Sequence, residues 1–392
     1  MKLWIIGNGF DLHHELETRY ADYKAFLCRC NACRLVKEWR AARPQKHDEV
    51  CENGCDFGHR DCPVKKFNAL PRLQEPKEDL WRDLEEACDF DLKALMYTFK
   101  GDYRASGELR SGESAALSLL DDSLCFAKAF TGQWFDKWLR EIDASLRKDV
   151  SEKKIDKKNL GIGADDRFLT FNYTSTLEAV YGVSDNKVYW VHGRLKSVDD
   201  KLEEEKDEIK RMTSKDSVAH ECLMFGSPEI TDASVQEAID YFTTLQKMSA
   251  DQVDAFSRRT KMLMGFLKKN VQCRLNSMVE WVAKNCVGES SPDEVVVAGH
   301  SLGRYDSLYF EFLAGFFKNK KWRFLIHNKD DLVRAYDFCE EHGLHGRYVR
   351  WDDAESDNTL SLADCDVLHS GGASNCETSS RAAEDVRPYQ CR

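Results

Sequence analysis

The chain of 392 residues has no surplus of positive charge: 57 lysines and arginines face 68 acidic residues, for a net charge of −11. Broad nucleic-acid binding is therefore not expected, because nothing neutralises a phosphate backbone over its length. It also lacks any apolar run near the roughly 18 residues of a membrane helix. The N-terminal apolar stretch, Leu3 to Ile6, is cut short by Gly7 and Asp11, so neither membrane insertion nor secretion is expected. No internal repeat is visible. What is present suits a folded core: 42% of residues are apolar and 11% aromatic. At roughly 150 residues per domain the length fits about two and a half domains, or one large α/β core with insertions. Fifteen cysteines are many, but an odd number in a long chain without an export signal speaks against a disulfide scaffold. A reducing cytoplasm is the expected setting.

Short β-rich runs alternate with helical stretches. The clearest runs are Leu3–Ile6, Phe168–Phe171, Val188–Val191, Leu223–Phe225, Glu294–Ala298, Phe324–Ile326 and Arg347–Trp351. They are apolar without alternation, as strands buried on both faces of a parallel sheet are. Leu80, Trp81, Leu84, Cys88, Leu92 and Leu95 repeat at helical spacing, as do Phe256, Met262, Phe266 and Val271 with their neighbours. The expected fold is α/β, a Rossmann-like, doubly wound, mostly parallel sheet with helical and cysteine-rich insertions. Residues 28–62, 100–122 and 198–217 read as insertions, and the sequence from Asp352 onward reads as a disordered tail. Trp134 and Trp138 read as core aromatics, and the Lys201–Arg211 charge run as a solvated face.

Four motifs carry candidate chemistry. Leu3-Trp4-Ile5-Ile6-Gly7-Asn8-Gly9-Phe10-Asp11 is a strand running into a glycine pair and a helix, where backbone can approach a phosphate. Only half of the dinucleotide fingerprint is there, since Leu12 stands where the last glycine belongs, and a plain tight turn is the alternative. Phe171-Asn172-Tyr173-Thr174 puts an asparagine past a strand, able to orient a water or a ribose hydroxyl or simply to cap the next helix. His192-Gly193 ends another strand, where a histidine can act as a base or satisfy a carbonyl. Gly299-His300-Ser301-Leu302-Gly303 has the form of a nucleophile elbow, with Asp330 or Asp331 and His342 or His345 downstream to complete a serine hydrolase.

These motifs, together with Leu16, Thr18, Tyr20, Asp22-Tyr23, Leu80-Trp81-Arg82-Asp83-Leu84-Glu85 and Asp306, closely resemble the bacteriophage abortive-infection AbiH family over about residues 1–350. That family looks like a remote branch of the sirtuin-like NAD-binding superfamily. The resemblance implies a sirtuin-like nucleotide-binding α/β domain over 1–351, a mainly helical insertion over 77–149 and the tail over 352–392. It implies NAD or a related nucleotide as substrate or ligand. Gly7, Asn8, Gly9 and Asp11 would line its phosphates and ribose. Asn172 and His192 would act at the nicotinamide ribose, and Gly299, Ser301 and Asp306 would hold the adenosine half. The implied activity is hydrolysis of the nicotinamide–ribose bond in phage defence, with a phage-derived trigger, a defence partner or a second copy as partners. A nucleotide-sensing module without turnover and a serine hydrolase using Ser301 are the alternatives. Glu15 stands where the family usually has a glycine, and Tyr173-Thr174 replaces a frequent Tyr-Asp.

Six cysteines, Cys28, Cys30, Cys33, Cys51, Cys55 and Cys62, fall within residues 28–62 with His47 and His59, where the average density gives roughly one. Cys30, Cys33, Cys51, Cys55, His59 and Cys62 offer more than the four ligands of a structural zinc, which would help so polar an insertion to fold. Free core cysteines and redox-sensitive thiols are the other readings.

Overall fold

The computed structural model describes residues 1–28, 130, 134–195, 231–246, 250–267, 271–354 and 359–364. The first part of the chain forms β1 (Lys2–Ile6), α1 (Asn8–His13), α2 (Tyr20–Cys28), α3 (Trp134–Ser151), β2 (Arg167–Thr170), α4 (Thr176–Tyr181) and β3 (Val188–Trp190). The second forms α5 (Asp232–Gln246), α6 (Ala250–Leu267), α7 (Val271–Asn285), β4 (Glu294–Ala298), α8 (Ser307–Phe316), β5 (Lys321–Ile326), α9 (Lys329–His342) and β6 (Gly346–Arg350).

Six strands make one sheet in the order β3-β2-β1-β4-β5-β6, with every pair parallel. The chain builds outward from β1 on one side and then returns to build outward on the other. Its order reverses between β1 and β4, and open α/β sheets hold ligands beyond the carboxyl ends of strands at such a switch point.

Non-alternating apolar strands form here because both sheet faces are covered. Leu3, Ile5, Val295 and Val297 enter one core with Tyr309, Phe310 and Leu313 of α8 and Leu332 and Phe338 of α9. Trp4, Ile6, Val296 and Ala298 enter the other with Phe10 of α1 and Leu177 of α4. The Trp4 indole, fully buried, donates its N–H to Asp166 at 2.8 Å, so the largest core side chain keeps its polar atom satisfied.

The expected α/β fold is the one observed, and its sheet is entirely parallel. Five of the expected strands differ from the observed ones by no more than a residue at either end. β5 begins three residues earlier than expected, at Lys321, because buried Arg323 is accommodated inside the sheet: its guanidinium donates to Ala354 O at 2.7 Å and pairs with Glu294 at 2.9 Å. Phe256 lies in α6 whereas Val271 opens α7, so that stretch is two helices. Leu223–Phe225, the Leu80–Leu95 helix and the insertions over 100–122 and 198–217 lie outside the described residues. Past Trp351, Ala354 is buried and the Leu360 N–H donates to Tyr348 O at 2.7 Å, so the described part of the tail packs against the sheet.

The loops after β1 and β4 touch backbone to backbone. Gly9 donates its N–H to Gly299 O at 2.8 Å, and Gly7 donates to Ala298 O at 2.9 Å. A methyl on Gly299 would lie 2.2 Å from Phe10 N and 2.5 Å from Gly9 C, at a φ of +70°. Gly299→Ala is expected to cost roughly 2–5 kcal/mol, from left-handed strain plus overpacking against backbone that has no room to yield. Gly343, with φ +60° and nothing within 4 Å of where a methyl would stand, serves as the control. Gly343→Ala should cost only about 1–2 kcal/mol. Urea unfolding of both variants checks this, and equal losses would contradict it.

Candidate functional site

Each motif begins where a strand ends, so the parallel sheet carries all four to its carboxyl edge. Phe171 follows β2 and packs edge-on against two imidazoles, His192 at 5.2 Å and His300 at 4.4 Å between ring centroids. Asn172, next in the chain, is 5% exposed, and both its amide atoms are buried without a hydrogen-bond partner. It does not cap α4. Its own N–H goes to Thr170 Oγ1 at 3.2 Å, and the cap residue Ser175 turns its hydroxyl to Asp143 of α3. Arg147 of α3 pairs with the same carboxylate at 2.9 Å and donates to the Ser175 hydroxyl at 3.0 Å, pinning α3 beside this loop.

His192 does not satisfy a backbone carbonyl through Nε2. That nitrogen lies 3.0 Å from Asp306 Oδ1, while His300 Nε2 lies 3.4 Å from Asp306 Oδ2. One buried carboxylate thus bridges two histidines that follow different strands. The Leu302 N–H donates to His300 Nδ1 at 3.0 Å, and Leu302 itself has a φ of +54°. A side chain in the left-handed region costs of order 1–2 kcal/mol, which this bond helps to offset.

Asp11, 1% exposed, makes the second polar group. Its two oxygens lie 2.6 Å from Thr174 Oγ1 and 2.7 Å from Thr176 Oγ1, and the two hydroxyls lie 3.1 Å from each other. Three oxygen–oxygen contacts need three protons, and two threonines supply only two. Below pH about 6 a protonated Asp11 supplies the third and closes the ring, and above it both hydroxyls donate to the carboxylate. Burial agrees, raising the Asp11 pKa to about 6 against the lowering effect of the two hydroxyls and the nearby Asn172 amide. On the far side of α1, His14 donates Nδ1–H to Phe10 O at 2.7 Å and takes the Tyr181 hydroxyl on Nε2 at 2.8 Å. Burial holds His14 below the ordinary imidazole range, in keeping with this neutral arrangement.

The contacts run from Gly7 to His300, from His300 through Asp306 to His192, and from Asn172 to Asp11, so the four motifs meet at the switch point. The glycines at 7, 9 and 299 are accounted for by loop-on-loop contact, and Gly9's amide is already bonded to Gly299 O. Asn8 turns its side-chain amide to Thr18 O at 3.0 Å. Asp306 faces histidines. Ser301 is exposed, and the left-handed residues of its loop are Gly299 and Leu302, so the serine does not sit at the strained tip of an elbow. His345 precedes β6 and accepts the Trp322 N–H at the amino edge of the sheet. Ser301 lies past β4 at the carboxyl edge, a five-residue strand or roughly 16 Å away. His342 packs on Phe338 at the end of α9, so neither histidine completes a triad with Ser301. Glu15 has a φ of +62°, in the left-handed region that glycine adopts without strain.

Cys30, Cys33, Cys51, Cys55, His59 and Cys62 all lie outside the described residues, and among the described residues no group of three or more potential ligands could hold a metal. No described helix is long and apolar enough to cross a membrane. Sequence reasoning did not assign roles to His300, Thr174, Thr176 or Asp143. His300 and Thr174 lie inside motifs already quoted, but their partners are distant in sequence.

Sheet order and a polar cluster at the switch point define a doubly wound α/β protein whose group of buried ionisable side chains at the carboxyl edge sits where such folds place ligands. A family model described as Bacteriophage abortive infection AbiH matches residues 3–327, and the chain belongs to that family. Comparison with curated proteins and with solved structures gave no match.

Asp11 supplies a test of the ring. Its folded pKa, about 6, lies above the ordinary 3.8, so its contribution to stability is fully present below pH 4 and is lost as pH rises through about 6. Asp11→Asn, which stays neutral, should therefore gain up to about 3 kcal/mol relative to wild type between pH 4 and pH 7.5. Urea unfolding at the two pH values checks this. A difference that does not change with pH would contradict it.

Proposed function

We propose that the switch-point cluster binds NAD or a related nucleotide and hydrolyses its nicotinamide–ribose bond, as part of the abortive-infection role that family membership implies. The observation that carries this reading is the Asn172 amide, buried near Asp11 with neither its donor nor its acceptor in a hydrogen bond. Leaving such an amide unsatisfied costs about 1–3 kcal/mol, and a ribose hydroxyl or the attacking water would satisfy it. Nicotinamide leaves as a neutral pyridine and needs no acid. The site must position water, accept its proton and exclude bulk solvent. His192 supplies the base. The glycine loops shape the floor beneath the ribose, and in this reading Ser301 is a donor to the nucleotide and not a nucleophile. A cytoplasmic setting and a phage-derived trigger go with it.

One observation favours a second reading, a nucleotide sensor without turnover. Asp11, Asn172, His192 and Asp306 are all buried, so ligand entry entails movement of the loops around them. That movement could itself be the signal. Purified protein incubated with NAD, with and without phage lysate, separates the two. The expected result is release of free nicotinamide, lowered on the order of 10²-fold or more by Asn172→Ala or His192→Ala and retained in Ser301→Ala. Saturable binding with no nicotinamide under either condition would favour the sensor. Covalent labelling of Ser301 by a fluorophosphonate would overturn both.

A further inference from the structure

Resting on the reading of His192 as the base, we infer that Asp306 is a positioning residue whose carboxylate holds the Nε2–H of His192 and leaves the reacting lone pair on Nδ1. Oδ1 of Asp306 lies 3.0 Å from His192 Nε2. A carboxylate only accepts, so Nε2 donates and a neutral His192 is basic at Nδ1.

His300 fixes the carboxylate in turn. Its Nδ1 accepts the Leu302 N–H, so the proton of the neutral ring resides on Nε2, which faces Asp306 Oδ2 at 3.4 Å. The two oxygens of Asp306 are thus divided between two donors. Phe171 stands edge-on to both imidazoles, which restrains their ring planes. The strands that carry the histidines, β3 and β4, have β2 and β1 between them, roughly 14 Å in all. Asp306 joins the loops that leave them.

The place of Asp306 in its own helix supports this role. It is the N-cap residue of α8, where an aspartate ordinarily accepts an N–H of the first turn and contributes about 1 kcal/mol. Its side chain makes no such cap bond. The carboxylate forgoes the local partner for two imidazoles.

In the reaction, the water oxygen bonds to C1′ as the C1′–N bond breaks, and the electron pair of that bond leaves with nicotinamide. The water proton goes to His192 Nδ1. The Nε2–H stays on His192, hydrogen-bonded to Asp306, whose charge stabilises the imidazolium.

Long-range ¹H–¹⁵N spectra of the full chain read the tautomer, with the His192 signals identified by their loss in His192→Gln. Wild type should show Nε2 protonated and Nδ1 bare. Asp306→Asn should shift His192 toward the other tautomer. It should also lower kcat for nicotinamide release on the order of 10²-fold while KM changes less than about 3-fold. A wild-type proton on Nδ1 would overturn the inference, as would Asp306→Asn retaining the wild-type tautomer or the wild-type kcat. If that variant fails to fold, the wild-type spectrum alone decides. If wild type shows the expected tautomer yet releases no nicotinamide, the hydrolase reading fails while Asp306's hold on His192 stands.

Discussion

Everything at the carboxyl edge depends on two peptide loops that approach with no side chain between them. Gly7 and Gly9 after β1 and Gly299 after β4 let backbone meet backbone, and the Gly9 N–H to Gly299 O bond fastens the contact at the switch point. His300 then comes to rest over Gly7, where a Cβ would stand 2.5 Å from the His300 Cα. From that seat its ring reaches Asp306, and Asp306 reaches His192. A methyl at any of these glycines would push the loops apart and move the histidines with them.

Within this frame the polar groups are unevenly satisfied. Asp11 has two threonine hydroxyls, Asp306 has two imidazoles and Asp143 has Ser175 and Arg147. Asn172, in their midst, lies near Asp11 yet completes no hydrogen bond at either amide atom. Buried polar networks are ordinarily complete, and a gap at one residue marks where a further group belongs. Abortive infection gives a setting in which a buried, poised site makes sense. Under the proposed hydrolase reading, a nucleotide-consuming activity would have to be held in check until infection, and a site closed over its reacting groups would limit turnover before a trigger acts.

The sheet was legible because β1 and β4 are apolar at every inward position on both faces. The cluster's membership was legible too, since a parallel sheet brings every post-strand loop to one edge. The early start of β5 was not: Lys321 and Arg323 look like loop residues, and the partners that make Arg323 tolerable are Glu294 and Ala354, each about 30 residues away in sequence. The roles of Asp306 and His300 escaped for the same reason. The family resemblance puts Asp306 at the adenosine half of a nucleotide, and only the fold brings it to His192, 114 positions away. The glycine pair was read as a phosphate cradle, and its contact with Gly299 could not be seen without knowing that β1 and β4 are neighbours.

Hydrogen–deuterium exchange of the full chain with and without NAD tests the central claim most directly. Ligand in the switch-point cluster should slow exchange together in peptides covering 170–176, 190–194 and 299–306, and Asn172→Leu should abolish the effect. Unchanged exchange in these segments at saturating NAD, or protection confined to another part of the chain, would contradict a nucleotide site at the junction of β1 and β4.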